Sequence, residues 1–465
     1  MEGQFDQSLQ YLWEKYDFLK YVVEDVLKNN GRIFLVGGTV RDMVLGLAPK
    51  DFDIEVHGIS LNQLEDFLKK WGPVRLVGKA FGVLQIDGYE IDFSVARTDS
   101  SGRHPHVAFD PHISLKEAAA RRDLTMNALF IDMHTGALKD PFNGLQDIKD
   151  KILRAPDVNL FVQDPLRFYR VVQFIGRFKM IPDKALSDVC ASMDITLISK
   201  ERIFQEFEKL FLLSEKPSLA FDWLEKIGRL QELLPELYAL KGVKQNPEFH
   251  PEGDVFEHTM QAVDAAAQAD YATNEKRFML CLAALCHDLG KVTTSCVIDG
   301  RIRSHGHDVA GVPFAEQLVD RLTGKTFFKR PVTRLVRYHM MPYYLVTDKA
   351  GAGAYKRLAR NLYPDTCMED LSQLALFDKS ARNPKRGEPL SESVYKKELQ
   401  EFIDQVKKWG VWHGPELPIL TGADLCSEGI MQGPEMGALL QRAYDLQIQD
   451  GIIDKDELKK RVLKK

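Results

Sequence analysis

Asp51 and Asp53 are one residue apart in "KDFDIEV", and side chains at i and i+2 of an extended strand leave from the same face. Two carboxylates that close repel each other unless a cation lies between them. Magnesium suits the place, because it takes oxygen ligands and commonly joins one or two carboxylates to substrate phosphates. Just upstream, "FLVGGTVRD" puts Gly37 and Gly38 at the end of an apolar run. Backbone N–H groups there can cradle a phosphate with no side chain in the way. Arg41, one turn later, can reach the same anion. Asp92, in "YEIDFSVAR", is expected as a third carboxylate from a neighbouring strand.

A second set of chemically capable residues lies further on. "FEHTM" gives His258 and "LCHDLGK" gives His287 with Asp288. "SHGHDVAG" gives His305 and His307, "RYHMMP" gives His339, and "LFDKSARN" gives Asp378. Imidazole together with carboxylate suits a borderline transition metal, and an adjacent His-Asp pair can supply two ligands from one helix. His305 and His307 stand as alternatives for one ligand position. A third set is Asp164 and Arg167, three apart on an expected helix and so on one face, with Arg170 extending it. An aspartate accepts from an exocyclic amine and an arginine donates to ring nitrogens or a carbonyl. Cytosine and adenine fit such a pair at their Watson–Crick edges; guanine and uracil present the opposite pattern.

These residues need a mixed scaffold. "RIFLV" and "FDIEV" read as strands, with Thr39 as a cap for a short helix between them. Ser60 with Gln63, and Ser114 with Glu117, are capping boxes that open helices. "GVLQIDGYEIDFSVA" reads as a hairpin turning at Asp87-Gly88. Residues 98–113, with Gly102, Pro105 and Pro111, read as a loop. Apolar spacing over 5–29 predicts one helix, and residues 156–240 read as almost wholly helical. A further helix is expected over 391–408, after a boundary at "ARNPKRGEP".

With 465 residues, about two to four domains are expected. The net charge of −5 gives no global support for nucleic-acid binding, which would need a local basic patch. The six cysteines form no CxxC pair, which points to reduced thiols and a cytoplasmic setting. The first twenty residues show no basic region followed by an apolar run, so no secretory signal is expected. No apolar run approaches the roughly 18 residues a membrane span requires.

The joint pattern GGxVRDxxLGxxxxDxD resembles the signature of the class II tRNA nucleotidyltransferases and related bacterial poly(A) polymerases. In the same order, "RRDLTMNAL" (121–129) resembles the family's RRDxTxNA motif. That likeness implies that Arg121 and Arg122 contact the incoming nucleotide and ribose, with Asn127 beside them. "DPFNGLQDI" (140–148) resembles DPxxGxxDL, and "QDPLRFYRVVQF" (163–174) resembles EDxxRxxRxxRF, departing from it at Gln163 and Gln173. Residues 421–452 are similar to the C-terminal region many members carry. The histidine region resembles the HD phosphohydrolase family, whose extra histidines here suggest a two-metal site able to clamp a phosphoester.

The resemblance implies an α+β fold: a small mixed-sheet nucleotidyltransferase head followed by a mostly α-helical body that includes an all-α HD domain. Expected boundaries are 1–30 for an N-terminal helix, 31–155 for the head and 156–244 for a nucleotide-reading, RNA-binding region. The HD domain is expected over 245–385 and a C-terminal tRNA-binding tail over 386–465. The implied activity is template-independent addition of C and/or A to the tRNA 3′ end, from CTP and ATP. Asp51, Asp53 and Asp92 would be catalytic and the first two would hold Mg²⁺. Gly37, Gly38, Arg41, Arg121, Arg122, Asn127, Asp164, Arg167 and Arg170 would bind nucleotide. His258, His287, Asp288, His305, His339 and Asp378 would hold a transition metal such as manganese, nickel or iron, for a further phosphohydrolase activity. Family enzymes that add the terminal A resemble one another in keeping a flexible loop at 98–113, so A addition is expected. A poly(A) polymerase, or an HD phosphohydrolase with the head as an RNA-positioning module, are the alternative readings. The basic tail residues Lys455, Lys459, Lys460, Arg461, Lys464 and Lys465 are either an RNA-binding patch or a solvated helix end.

Overall fold

The computed structural model describes residues 6–49, 51–77, 82–99, 107–323, 325–384, 386 and 395–463. It divides into two compact units, Met1–Ile198 and Ser199–Lys465.

The first unit is built on a mixed sheet. Its strands are β1 (Arg32–Val36), β2 (Phe52–His57), β3 (Val74–Val77), β4 (Val83–Ile86), β5 (Ile91–Val95), β8 (Phe130–Asp132) and β9 (Leu138–Lys139), in the order β3-β4-β5-β2-β1-β8-β9. β2 runs parallel to β5, whereas β1 is antiparallel to both β2 and β8. Strand alternation sorts the two faces. Ile33, Leu35, Phe52, Ile54, Val56, Ile91, Phe93 and Val95 join the larger core. That core also takes in residues of the helices Asp6–Lys15, Phe18–Lys28 and Leu61–Leu68. The opposite face keeps a small cluster of Phe34, Val36, Ala118, Ala119, Ala128 and Phe130, and it carries the polar residues of β2 and β5.

The expected N-terminal helix is two helices. The break falls at Tyr16-Asp17, where Tyr16 is buried with its ring against Phe18, Phe52 and Tyr89. One straight helix would keep Leu12, Tyr16 and Leu19 on one face and turn Phe18 away from it, whereas the break brings Phe18 onto the same core. Both capping boxes form as expected. The hairpin of β4 and β5 pairs Leu84 with Phe93, and Gly88 takes the left-handed backbone its turn needs. The loop expected over 98–113 is more ordered at its ends: β6 (Arg97–Asp99) and β7 (Val107–Phe109) pair antiparallel. Residues 100–106, the middle of the loop on which the expectation of A addition rests, lie outside the described residues.

The second unit is helical. Helices Val255–Gln268, Asn274–Cys286, His307–Leu322, Thr326–Tyr338 and Met368–Ser380 bring the histidine region together. Gly290 permits this assembly, because a Cβ there would lie 2.0 Å from the carbonyl oxygen of His307. Helices Pro434–Asp450 and Lys455–Leu463 share a separate small core of Leu425, Met436, Ala443, Leu458 and Val462. Lys455, Lys459 and Arg461 are ion-paired with Asp424, Glu428 and Asp450, so much of the tail's positive charge is already met within the unit. Lys464 and Lys465 lie outside the described residues. No helix among the described residues is long and apolar enough to cross a membrane.

Two candidate active sites

The parallel register of β2 and β5 sets Asp53 beside Asp92, roughly 4.8 Å apart at the backbone. Asp51 lies just before β2 rather than on it, and it is exposed. Thr39, expected as a helix cap, sits inside the helix Gly37–Val44. Its hydroxyl donates to the Asp51 carbonyl and accepts from the Asp53 N–H, each at 3.0 Å. It thereby ties the glycine turn to the aspartate pair. Gly37 takes positive φ, and a Cβ on it would come within 3.2 Å of Asp53 Oδ2 and 3.1 Å of an Arg122 nitrogen. The backbone of the turn therefore faces the carboxylates directly. Burial pushes the Asp53 carboxyl up; Arg122 opposes this, and the nearby Asp92 and Asp51 add to it. A divalent cation among the three carboxylates would relieve that repulsion, so charge and oxygen donors both fit magnesium.

A cavity of about 170 Å³ opens beside them, lined by Asp53, Glu55, Asp92, Ser94, Arg97, Arg121 and Arg122. Glu55 was not foreseen. It is 1 % exposed and accepts from Arg121 at 2.7 Å and from Arg122 at 3.0 Å, with His57 at 3.1 Å. Burial alone would raise this carboxyl, but Arg122, His57 and Arg121 bring it to about 2. The strand period was the available signal, because Glu55 follows Asp53 by two residues on the same face.

The remaining residues form one buried network. Arg41 donates to Asn127 Oδ1 at 2.9 Å and pairs with Asp42, while its guanidinium lies over Phe174 and Phe178. Asn127 donates to Asp123, which accepts from Arg170 at 2.6 Å. Arg167 donates to the carbonyls of Leu160 and Arg121. Asp164 is not on the helix with Arg167. The helix spans Leu166–Phe178, and Asp164 precedes it, accepting from the Leu166 N–H at 3.1 Å. Pro165 explains the late start, since the residue before a proline is disfavoured in helical backbone. The "DPFNGLQDI" segment braces the same region. Asp140 accepts from Gly144 and Leu145 N–H, Asp147 accepts from the Thr125 hydroxyl at 2.7 Å, and Gly144 lets the backbone meet the Thr125 carbonyl.

The histidine set closes into one cluster. His258 Nε2 lies 3.3 Å from His287 Nε2, 3.1 Å from Asp378 Oδ1 and 3.6 Å from Asp288 Oδ2. His307 Nε2 lies 3.0 Å from His339 Nε2 and 3.3 Å from Asp288 Oδ1. Asp288 thus spans two groups of candidate ligands, one with His258 and His287, the other with His307 and His339. His307, not His305, joins the cluster; His305 is exposed. His307 is the first residue of its helix, and its Nδ1 donates to the Ser304 carbonyl, which swings it inward.

Each ring is aimed the same way. His287 and His339 stand at helix C-termini, where their Nδ1–H groups meet the unsatisfied carbonyls of Ala284 and Val336. His258 Nδ1 meets Glu252 at 2.7 Å. With every Nδ1 so committed, the Nε2 atoms converge on one another, an arrangement that a shared cation would satisfy. His258 shows this: burial opposes charge, yet Asp378 and Glu252 raise it to about 9. His339, beside the same cluster, is pushed by burial and by His307 down to about 3. Asp288 and Asp378 are held well below the usual carboxylate range against their burial, Asp288 by Lys291 and His287, Asp378 by Arg382 and His258. Nitrogen and oxygen donors in this mix fit a transition metal. Glu252 and His250, which pair at 2.8 Å, were the residues missed here. They sit in the turn before the helix of His258, a place where histidine spacing carries no helical signal.

Comparison with known proteins gives three family matches along the chain. Residues 33–154 match the poly A polymerase head domain, 188–240 the "Probable RNA and SrmB- binding site of polymerase A", and 255–357 the HD domain. A multifunctional CCA protein of Mannheimia succiniciproducens is 32% identical over 368 residues, covering 77% of this chain and 81% of that protein. One from Halorhodospira halophila is 30% identical over 431 residues, covering 88% and 94%. Among solved structures, a CCA-adding enzyme in an apo form matches with a TM-score of 0.61 and 18% identity, over 97% of this chain and 95% of that one. The Thermotoga maritima CCA-adding enzyme complexed with tRNA matches with a TM-score of 0.58 and 18% identity, over the same shares. These two show the shared fold.

Proposed function

Because this chain belongs to the family of the multifunctional CCA proteins, we propose that its head adds C and A to the 3′ end of tRNA, in the cytoplasm, from CTP and ATP. The observation that carries the reading is that Asp53 and Asp92 stand side by side at a glycine turn and two arginines fixed by Glu55, with Asp51 near enough to raise the Asp53 carboxyl. Magnesium held by the aspartates would supply charge for the attacking and leaving oxygens of an in-line displacement. The tRNA 3′-hydroxyl oxygen bonds to the α-phosphorus and gives up its proton to solvent, the bond from the α-phosphorus to the α,β-bridging oxygen breaks, and pyrophosphate leaves. Gly37 and Gly38 present backbone to the triphosphate, Arg121 and Arg122 orient it, and Asp164 with Arg167 reads the base. Arg41, Asn127 and Arg170 keep those parts in register through the Asp123 network. The tRNA is held by shape and phosphates.

A second reaction is supported by the histidine cluster. Manganese, nickel or iron bound there would polarise a phosphoester and activate water. The water oxygen bonds to phosphorus, the bond to one ester oxygen breaks, and that oxygen takes the proton. Glu252 fixes the His258 ring, and Lys291, 2.6 Å from Asp288, offers positive charge at the floor.

The deciding experiment supplies tRNAs ending before CCA, after C and after CC with each labelled triphosphate. Extension of the CC-ended tRNA by ATP alone, and of the shorter ones by CTP, is expected. No extension from CC, with efficient CC addition, would replace this reading by a CC-adding enzyme. Long A tracts on any RNA would replace it by a poly(A) polymerase.

A further inference from the structure

The histidine cluster lies at the floor of a cavity of about 600 Å³, far more room than one phosphate group fills. Its cations are Lys291, Arg301, Arg303, Lys379 and Arg382. Lys291 and Arg382 are bound to the ligand carboxylates Asp288 and Asp378. Arg301 and Arg303 are different: they line the cavity from a hairpin of Cys296–Ile298 paired with Arg301–Arg303. Both are exposed, and among the described residues no side-chain hydrogen bond or ion pair holds either guanidinium. Two residues apart on a strand, they leave from one face. The hairpin turns at Asp299-Gly300, both with positive φ, the pattern of a tight, twist-matched turn. A rigid ribbon thus presents two guanidinium forks to the mouth of a phosphoester site, a geometry suited to an anion gripped by two donors at once.

The wall adds aromatic surface. Phe249 is 55% exposed, Tyr343 45% and Tyr344 41%, and all three line the cavity. Exposed rings beside a cationic groove are what a single-stranded nucleic acid uses, bases on rings and phosphates on arginines. A lone phosphate or a sugar phosphate would leave both features idle.

We propose that the hairpin Cys296–Arg303 is a phosphate clamp that makes this site prefer an oligonucleotide 3′ end over a mononucleotide. Arg301 and Arg303 grip an internucleotide phosphate while the terminal phosphoester lies at the histidine cluster. The inference rests on the phosphohydrolase reading of that cluster. Arg301 and Arg303 are specificity residues and take no part in the bond-breaking step.

The test uses the full chain with added manganese or nickel and two substrates: a nucleoside 2′,3′-cyclic phosphate and a trinucleotide ending in the same cyclic phosphate. The wild-type protein should show a kcat/KM about tenfold higher for the trinucleotide, the gain from one additional charged hydrogen-bonded contact. Arg301→Ala combined with Arg303→Ala should erase that advantage through KM, leaving kcat and the mononucleotide kinetics within about twofold. The slope of log KM against log salt for the trinucleotide should fall by about 0.7, the value for one phosphate contact on a single strand. Arg301→Lys with Arg303→Lys should restore part of the advantage. Retained tRNA extension and far-UV circular dichroism show that the variants fold. Wild-type hydrolysis without preference for the trinucleotide overturns the clamp, as does an equal loss on both substrates. Hydrolysis of neither substrate by the wild-type protein overturns the phosphohydrolase reading, and the clamp with it.

Discussion

The head site and the histidine site both hold like groups close together, but they fix them by different means. In the head, spacing comes from the backbone: Asp53 and Asp92 are neighbours because β2 and β5 are in parallel register. In the cluster, aim comes from side-chain contacts, one hydrogen bond at each Nδ1. Each site also leans on one buried glutamate. Glu55 holds two arginines and Glu252 holds two histidines, and against their burial both carboxyls are drawn down to about 2 by those partners. The head orders cations beside its carboxylates; the cluster aims imidazole Nε2 atoms at a shared carboxylate. One site therefore depends on charge balance and the other on ring orientation.

The largest expected effect breaks the two sites apart. Asp53→Ala should lower nucleotide addition at least about a thousandfold, the upper range for removing one preorganised charge-stabilising element. It should leave cyclic-phosphate hydrolysis intact. His287→Ala should do the reverse, since the two sets share no ligand. Both activities measured on the same preparations check this, and a variant that loses both would show that the sites are not independent.

That separation also explains what the sequence reveals. Asp53 and Gly37 read directly because strand and turn spacing carries over into geometry, whereas Asp51 falls just before the strand expected to hold it. The α+β architecture and both capping boxes follow from local patterns. Asp164 is harder to read, because Pro165 delays the helix by a residue or two and turns an expected face partner into a cap. His305 and His307 are equivalent in sequence; only the left-handed Gly306 and the bond to Ser304 decide between them. Glu55 and Glu252 escape notice because a residue that acts through another has no motif of its own.

A smaller effect is expected from those two glutamates. Glu55→Gln takes from Arg121 and Arg122 the buried carboxylate that both pair with, which costs up to roughly 3–5 kcal/mol of stability, with Asp53 and Asp123 still facing Arg122. The sign with pH is definite. The folded carboxyl titrates near 2, below its ordinary value of 4.5, so its contribution is present above about pH 4.5 and is lost as the pH falls toward 2. Urea midpoints at pH 3, 5 and 7 should show a steep acid limb in the wild type and a shallower one in the variant. Equal limbs would mean that Glu55 does not hold the arginine pair. Glu252→Gln should weaken metal binding at the cluster by about 10–100-fold, the range for losing a partner that orients a ligating histidine. Metal content after dialysis against graded chelator reads this directly, and unchanged retention would place the metal away from His258.

The smallest effect concerns base choice, and it needs two variants because Asp164 does two things. Its carboxylate caps the helix Leu166–Phe178 at the Leu166 N–H, and in the proposed function it also accepts from the exocyclic amine of C or A. Asp164→Ala removes both, so a selectivity loss there could reflect nothing more than a frayed helix start. Losing such a cap costs about 1 kcal/mol. Asp164→Asn separates the roles. Its side-chain oxygen can still accept from Leu166, so stability should stay near the wild type. Its amide also donates, which blurs the distinction between an amine and a carbonyl on the base edge. Discrimination of CTP and ATP against GTP and UTP should then relax by about tenfold, the worth of one charged hydrogen bond. Stability and incorporation of each triphosphate, measured for both variants, give the answer. If both relax selectivity and only the alanine loses stability, Asp164 reads the base. If the asparagine variant keeps the wild-type preference, Asp164 is a helix cap alone, and selectivity must come from Arg167 and the carbonyls it holds.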